Sequence, residues 1–226
     1  DFIWKFSFIW IFLFLFQYFL GHYSPISYYD NATIGLARII HDTQFHLGGK
    51  FAHNIHGGAD YFSVQGFLAA YVSLERLLFQ TFPIWIAVLL HKFLLVSFNL
   101  FGAYLLFNKG FKFNSLDSIF VASLISIINP FATYHSLQHG IGFAVIPFAI
   151  YVFLYTSSSK RYFIYTTLLS FLISISTSPL HSFQALLGGL VLTGFLRKPE
   201  NIKFSLISIL ILLSFLFINS CLFVAL

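Results

Sequence analysis

Early in this chain, carboxylates and imidazoles gather at spacings that suit proton transfer and phosphate binding. Asp30, in Tyr28-Tyr29-Asp30-Asn31, and Asp42, in His41-Asp42-Thr43, are the two candidate general bases. Aromatic neighbours at membrane depth favour a carboxylate that keeps some affinity for a proton, which suits a group that accepts one from a hydroxyl. Asp30 also fits the N-cap of a short helix over residues 31–41, and the two roles are compatible. Further on, His53, His56 and Asp60 have a spacing that can bring two imidazoles and a carboxylate around a divalent cation. Two Gly-Gly pairs in the same stretch argue against a continuous helix. A solvated, hydrogen-bonding loop with Asp60 in a turn is the competing reading.

Phosphate chemistry has its own candidates. Arg38 and Arg76 carry guanidinium forks that match phosphate oxygens, or equally the headgroups of membrane lipids. His135 and His139 are four residues apart, after Asn129-Pro130 has broken an apolar run, and on a helix they would share one face. With His181, in Thr177-Ser178-Pro179-Leu180-His181, they either line one cavity with the early loop or cap the membrane interface. No nucleotide-binding loop, dinucleotide fingerprint or nucleophile elbow is present.

The elements that must position these groups are membrane helices. Apolar residues make up 58% of the chain and charged residues 8%, with a mean hydropathy of +0.86. A soluble domain is about 25% charged, so this hydrophobic surplus has to face lipid. The formal net charge of +5 does not imply nucleic acid, because the cations sit in short clusters between apolar runs and form no patch. The single cysteine, Cys221, lies in the last apolar run and reads as a small packing residue.

Spans are expected near residues 2–20, 83–107, 116–132, 140–156, 162–178, 182–196 and 203–224. Seven spans put Lys5, Lys109, Lys112, Lys160, Arg161, Arg197, Lys198 and Lys203 together on the cytoplasmic side. Residues 61–82 would add an eighth span, but Glu75 and Arg76 stand at their centre, and a charge at mid-bilayer costs about 2.5–3.5 kcal/mol. Val64, Phe67, Leu68, Tyr71, Leu74 and Leu78 recur at helical spacing, with Gln65, Ser73, Arg76 and Gln80 opposite. The segment therefore reads as one amphipathic helix lying on the outer surface. The expected fold is all-α: a polytopic bundle with a long first outer loop over about 21–82 that carries surface-lying helices. Eight of the nine histidines fall in or beside outer loops, and only His91 lies inside a span. The chain opens at Asp1 almost directly in one apolar run and ends at Leu226 in another, as a piece of a longer protein would.

This layout resembles the GT-C superfamily of membrane glycosyltransferases: a first span, a long outer loop with an early Asp, then many spans with short loops. The resemblance implies transfer of a sugar from a polyprenyl-phosphate donor on the extracytoplasmic side, in a bacterial plasma membrane. Asp30 stands where the early-loop acid of that family would be, with Asp42 as the competing assignment and Asp60 nearest to a second acidic motif. The donor's phosphate would meet Arg38, Arg76, His135 or His139. The implied partners are membrane lipids and the lipid-linked sugar, with a divalent metal as an open question. The reading from another class is a transporter or flippase for a polar or lipid-linked substrate, which predicts charged residues deep within spans.

Overall fold

The computed structural model describes residues 51–52, 59–60, 73–128, 141–156, 160–175, 179–196 and 202–221. Among them the chain is helical apart from one strand pair, β1 (Phe51–Ala52) and β2 (Ala59–Asp60). The strands run antiparallel, with Phe51 opposite Asp60 and Ala52 opposite Ala59. Asp60 thus lies in an extended strand, where a turn residue was the sequence expectation.

The helices are α1 (Leu74–Thr81), α2 (Ile84–Leu105), α3 (Ser115–Ile128), α4 (Ile146–Tyr155), α5 (Lys160–Ser174), α6 (Pro179–Leu196) and α7 (Ile202–Cys221). Local chemistry sets their ends. Ser73 is extended and caps α1, its Oγ accepting from the Arg76 N–H at 3.1 Å. Of the single helix expected over residues 61–82, the described part is α1 alone, which starts after the extended Ser73. Pro83 then disfavours helical backbone at Phe82, which is extended, so α1 stops and α2 starts afresh at Ile84.

α2 runs on through a π-helical turn, Leu106–Gly110, in which the Phe111 N–H reaches back to the Leu106 carbonyl at 2.8 Å. The helix thus passes the expected boundary at 107 and carries the exposed Lys109 with it. Asn114 caps α3. Its Oδ1 accepts from the Asp117 N–H at 2.8 Å while its Nδ2 donates to Asp117 Oδ2 at 2.7 Å. α3 ends at Ile128, just before Asn129-Pro130 in sequence. Before α4, residues 141–144 are already helical, and the Val145 and Ala149 N–H groups bond to the Ile141 and Val145 carbonyls. Pro147, without an N–H, explains the turn at Val145. Pro179 opens α6 and does not end a span, and His181 falls in that helix's first turn.

Neighbouring contacts give the helix directions. Asn99 meets Ser126, and Ala103 packs with Ala122, so α2 and α3 are antiparallel. Gly102 abuts Phe148 and Gly110 abuts Tyr155, so α4 runs parallel to α2. Gly189 faces Ile150, and Tyr155 Oη reaches the Thr193 carbonyl, which makes α6 parallel to α4. Phe148 and Tyr165 approach across α4 and α5, which are joined by a short connection and so run antiparallel. Tyr162 bonds Ser208, and Phe171 packs on Phe215, which sets α7 parallel to α5. Direction alternates at every step from α2 to α7. Lys109, Lys112, Lys160, Arg161 and Lys203 consequently belong to helix ends on one side of the bundle. α1, the start of α2, residue 141 and the start of α6 belong to the other.

Within α4, Ala149, Ile150, Val152, Phe153, Leu154 and Tyr155 are all buried, so this helix is enclosed on every side. The periphery is apolar instead. Phe195 is 87% exposed, and α7 shows Leu206, Leu210 and Phe217 outward. α2 with its π turn, Ile84–Gly110, is long and apolar enough to cross a membrane at 27 residues. Shorter apolar helices cover Ser115–Ser126, Ile146–Tyr155, Tyr162–Ser174, Ser182–Leu196 and Ser205–Ile218. The expected span over 2–20 lies outside the described residues.

Candidate functional site

α1 is held on α2 by a small apolar contact in which Leu78 and Phe79 pack with Ala87 and Val88. Glu75 is three and four residues before Leu78 and Phe79, so it shares their inward face. Its side chain is 1% exposed, and His91, from α2, is 0% exposed. His91 Nε2 lies 2.9 Å from Glu75 Oε1, and the same oxygen accepts from the Ile141 N–H at 3.4 Å. One carboxylate oxygen thus ties together α1, α2 and the segment that leads into α4.

The pair is incomplete. Among the described residues, neither Glu75 Oε2 nor His91 Nδ1 has a hydrogen-bond partner. A buried carboxylate is costly to desolvate unless it is paired, and the imidazole supplies that pairing. When Nε2 carries the ring hydrogen it donates to Glu75 Oε1. Lys92, the next residue on α2, is also buried, at 6% exposure. Three ionisable side chains are thus enclosed on the side of the bundle away from the basic helix ends.

α2 explains how His91 and Lys92 come to be inside. Its buried residues include Val88, His91, Lys92, Leu95, Val96 and Asn99, a stripe at three- and four-residue steps. Both polar residues sit on that stripe. A polar group on the inward stripe of a helix is readable in sequence, and so is an acid at i, i+3, i+4 spacing to Leu78 and Phe79. Glu75 appeared in the sequence only as a charge that argues against a span, and its pairing with His91 was missed.

The candidates named from sequence are only partly covered. Asp30, Asp42, Arg38, His53, His56, His135 and His139 lie outside the described residues. Asp60 is in β2, and the strand pair brackets the stretch that carries His53 and His56. Arg76 is half-buried on α1, one residue from Glu75. Among the described residues no group of three or more His, Cys, Asp or Glu is arranged to hold a metal ion. Compared with known proteins, the chain matches no family model, and neither a curated protein nor a solved structure matches it.

Proposed function

We propose that this chain is a polytopic membrane domain of about seven spans that carries out its polar chemistry on the non-cytoplasmic side, as a glycosyltransferase using a polyprenyl-phosphate-linked sugar. The observation behind this reading is the enclosed Glu75–His91 pair on the side of the bundle away from Lys109, Lys112, Lys160, Arg161 and Lys203. Cations gathered on one side are what a cytoplasmic face looks like. Alternating helix directions and an apolar periphery agree with lipid on all sides. The pair's carboxylate belongs to the long outer loop, the element in which the resemblance puts the reaction.

In this proposal Asp30 or Asp42 takes the proton of the acceptor hydroxyl as its oxygen attacks the anomeric carbon. The bond from that carbon to the phosphate oxygen breaks, and the departing polyprenyl phosphate is neutralised by Arg38, Arg76, His135 or His139. A membrane site fits a donor whose tail stays in the bilayer. The plasma membrane of a bacterium is the proposed location. The test is sugar transfer from a polyprenyl-phosphate donor in membranes that hold the complete protein. Full activity in both Asp30→Asn and Asp42→Asn would end the catalytic assignment.

A second reading, a transporter or flippase, is favoured by one specific observation: His91 and Lys92 are buried within the helix best suited to span. Ionisable groups inside membrane helices mark substrate or proton paths. Uptake into proteoliposomes without any covalent product would select it.

A further inference from the structure

We infer that the turn between α2 and α3 is a preformed seat for the phosphate of an anionic lipid headgroup, with Lys109 and Lys112 as its two cations. This rests on the reading of the bundle as a membrane domain and on nothing about sugar transfer. Lys112 stands where the backbone suits a different residue. Its φ is 61°, and among the described residues it is the one non-glycine position in the left-handed region. Glycine or asparagine is the ordinary occupant where a helix ends in that way, because a larger side chain is crowded there. A lysine kept in a strained position points to a use for its ammonium. Lys109 and Lys112 are both exposed, and neither holds an ion pair among the described residues. Asp117, the nearest carboxylate in sequence, is bonded by Asn114 Nδ2 at 2.7 Å.

The frame that carries these cations is closed on itself. The Phe111 N–H reaches the Leu106 carbonyl at 2.8 Å, and the Phe113 N–H reaches the Phe107 carbonyl at 3.0 Å. Asn108 Nδ2 donates to the Phe113 carbonyl at 3.1 Å. The rings of Phe107, Phe111 and Phe113 lie against one another, with centroids 5.5 to 6.2 Å apart, and Phe111 also meets Tyr155 of α4. Cations on such a frame need no ordering of the backbone before they bind. The surroundings select the kind of anion. Phe113, beside Lys112, is 43% exposed, and Leu116 and Phe120, one turn apart on α3, are 63% and 64% exposed. α3 leads away from the basic side of the bundle, so these side chains lie at increasing depth beneath the two lysines. A soluble anion would leave them facing water. A bilayer covers them and presents its phosphates at the level of the turn.

The measurement reads the lipid beside the turn. The complete protein, with Cys221→Ser and a bimane on Ser115→Cys, is reconstituted in phosphatidylcholine vesicles. Phosphatidylglycerol or phosphatidylcholine with a nitroxide high on its acyl chain is then titrated in as quencher. Half-quenching should need about fivefold less phosphatidylglycerol than phosphatidylcholine. Lys109→Gln and Lys112→Gln should each cut that preference about twofold, and the double variant should lose it. Lys112→Asn, which suits the left-handed backbone, should raise Tm and still cut the preference, whereas a merely structural lysine would move Tm alone. Lys112→Arg keeps the charge and should keep the preference. Equal quenching by the two lipids with both lysines present, an unchanged preference in the double variant, or its loss in Lys112→Arg overturns the proposal. So does an equal loss in Lys203→Gln, which would make the preference a sum over all the basic helix ends. Competition by inorganic phosphate would identify a free anion as the ligand and overturn the assignment to lipid. A protein that alkaline carbonate strips from the vesicles fails as a membrane domain, and the proposal falls with that reading. A protein that stays in the vesicles and shows no preference refutes the proposal alone.

Discussion

Asn99 Nδ2 donates to Ser126 Oγ at 3.2 Å across the α2–α3 contact, and both side chains are buried. Asn99 Oδ1 has no partner among the described residues, so this amide is only half satisfied. Ser126→Ala strands the donor as well and should cost about 0.5–2 kcal/mol. Asn99→Leu removes the unpaired acceptor together with the donor and should cost less. Denaturant titration in detergent micelles ranks the two variants. Asn99→Leu as the worse of the pair would refute this account of the contact.

Gly102 permits the close approach of α2 and α4. A Cβ there would lie 2.6 Å from the Phe148 backbone nitrogen, so the helices themselves would have to separate. Gly102→Ala should destabilise by about 1–3 kcal/mol through overpacking. Gly188 and Gly194 on α6 have open space around them, and alanine at either should stabilise by up to about 1 kcal/mol. Thermal unfolding of the three variants gives the comparison, and a neutral Gly102→Ala would contradict the close approach.

Glu75 and His91 should show strong non-additivity. His91→Ala leaves a buried carboxylate with the Ile141 N–H as its remaining contact, a loss of about 3–5 kcal/mol. Glu75→Gln keeps the shape but gives up the charge-assisted bond, and the double variant should cost well under the sum. A double-mutant cycle on unfolding free energies measures the coupling. Strict additivity would mean that the two side chains do not interact.

Sidedness can be checked with single cysteines, after Cys221→Ser. Gln80 and Thr81 are exposed on α1, and Lys112 is exposed in the α2–α3 turn. Gln80→Cys should react with an impermeant maleimide on intact cells, and Lys112→Cys only after permeabilisation. Reaction of both on intact cells would remove the proposed topology.

The α1 cap is the last test. Ser73→Ala removes the acceptor for the Arg76 N–H and should cost about 0.5–2 kcal/mol, while Ser73→Asp should be nearly neutral. Hydrogen exchange at Arg76 and Leu77 reports the fraying directly. Unchanged exchange in Ser73→Ala would show that something else starts this helix.

How far the sequence could be read differs between helices and site. The apolar runs near 83–107, 116–132 and 140–156 became α2, α3 and the helical stretch 141–155, because a long apolar run bounded by Lys, Asn or Pro has few other ways to satisfy its backbone. Ser73 was harder. The apolar period of residues 61–82 continues through it in sequence, and only the backbone reveals that its hydroxyl caps the start of α1. Pairing between Glu75 and His91 spans sixteen residues and a Pro-induced break, and no periodicity predicts where two helices on either side of such a break will fold together. Ile141, sixty-six residues from Glu75, is out of reach of any local rule.

The enclosure of α4 has a consequence for how the molecule is made. Ile146–Tyr155 is apolar along its whole length, and in the finished protein it is surrounded by other helices. During synthesis it must wait for α6 and α7, which supply the Thr193 and Ser205 contacts to its Tyr155 and Phe153. Formation of this helix and completion of the interior around it are therefore separate events. Chains interrupted after α4 would leave this apolar helix uncovered, a state in which quality-control proteases can distinguish them from the completed bundle.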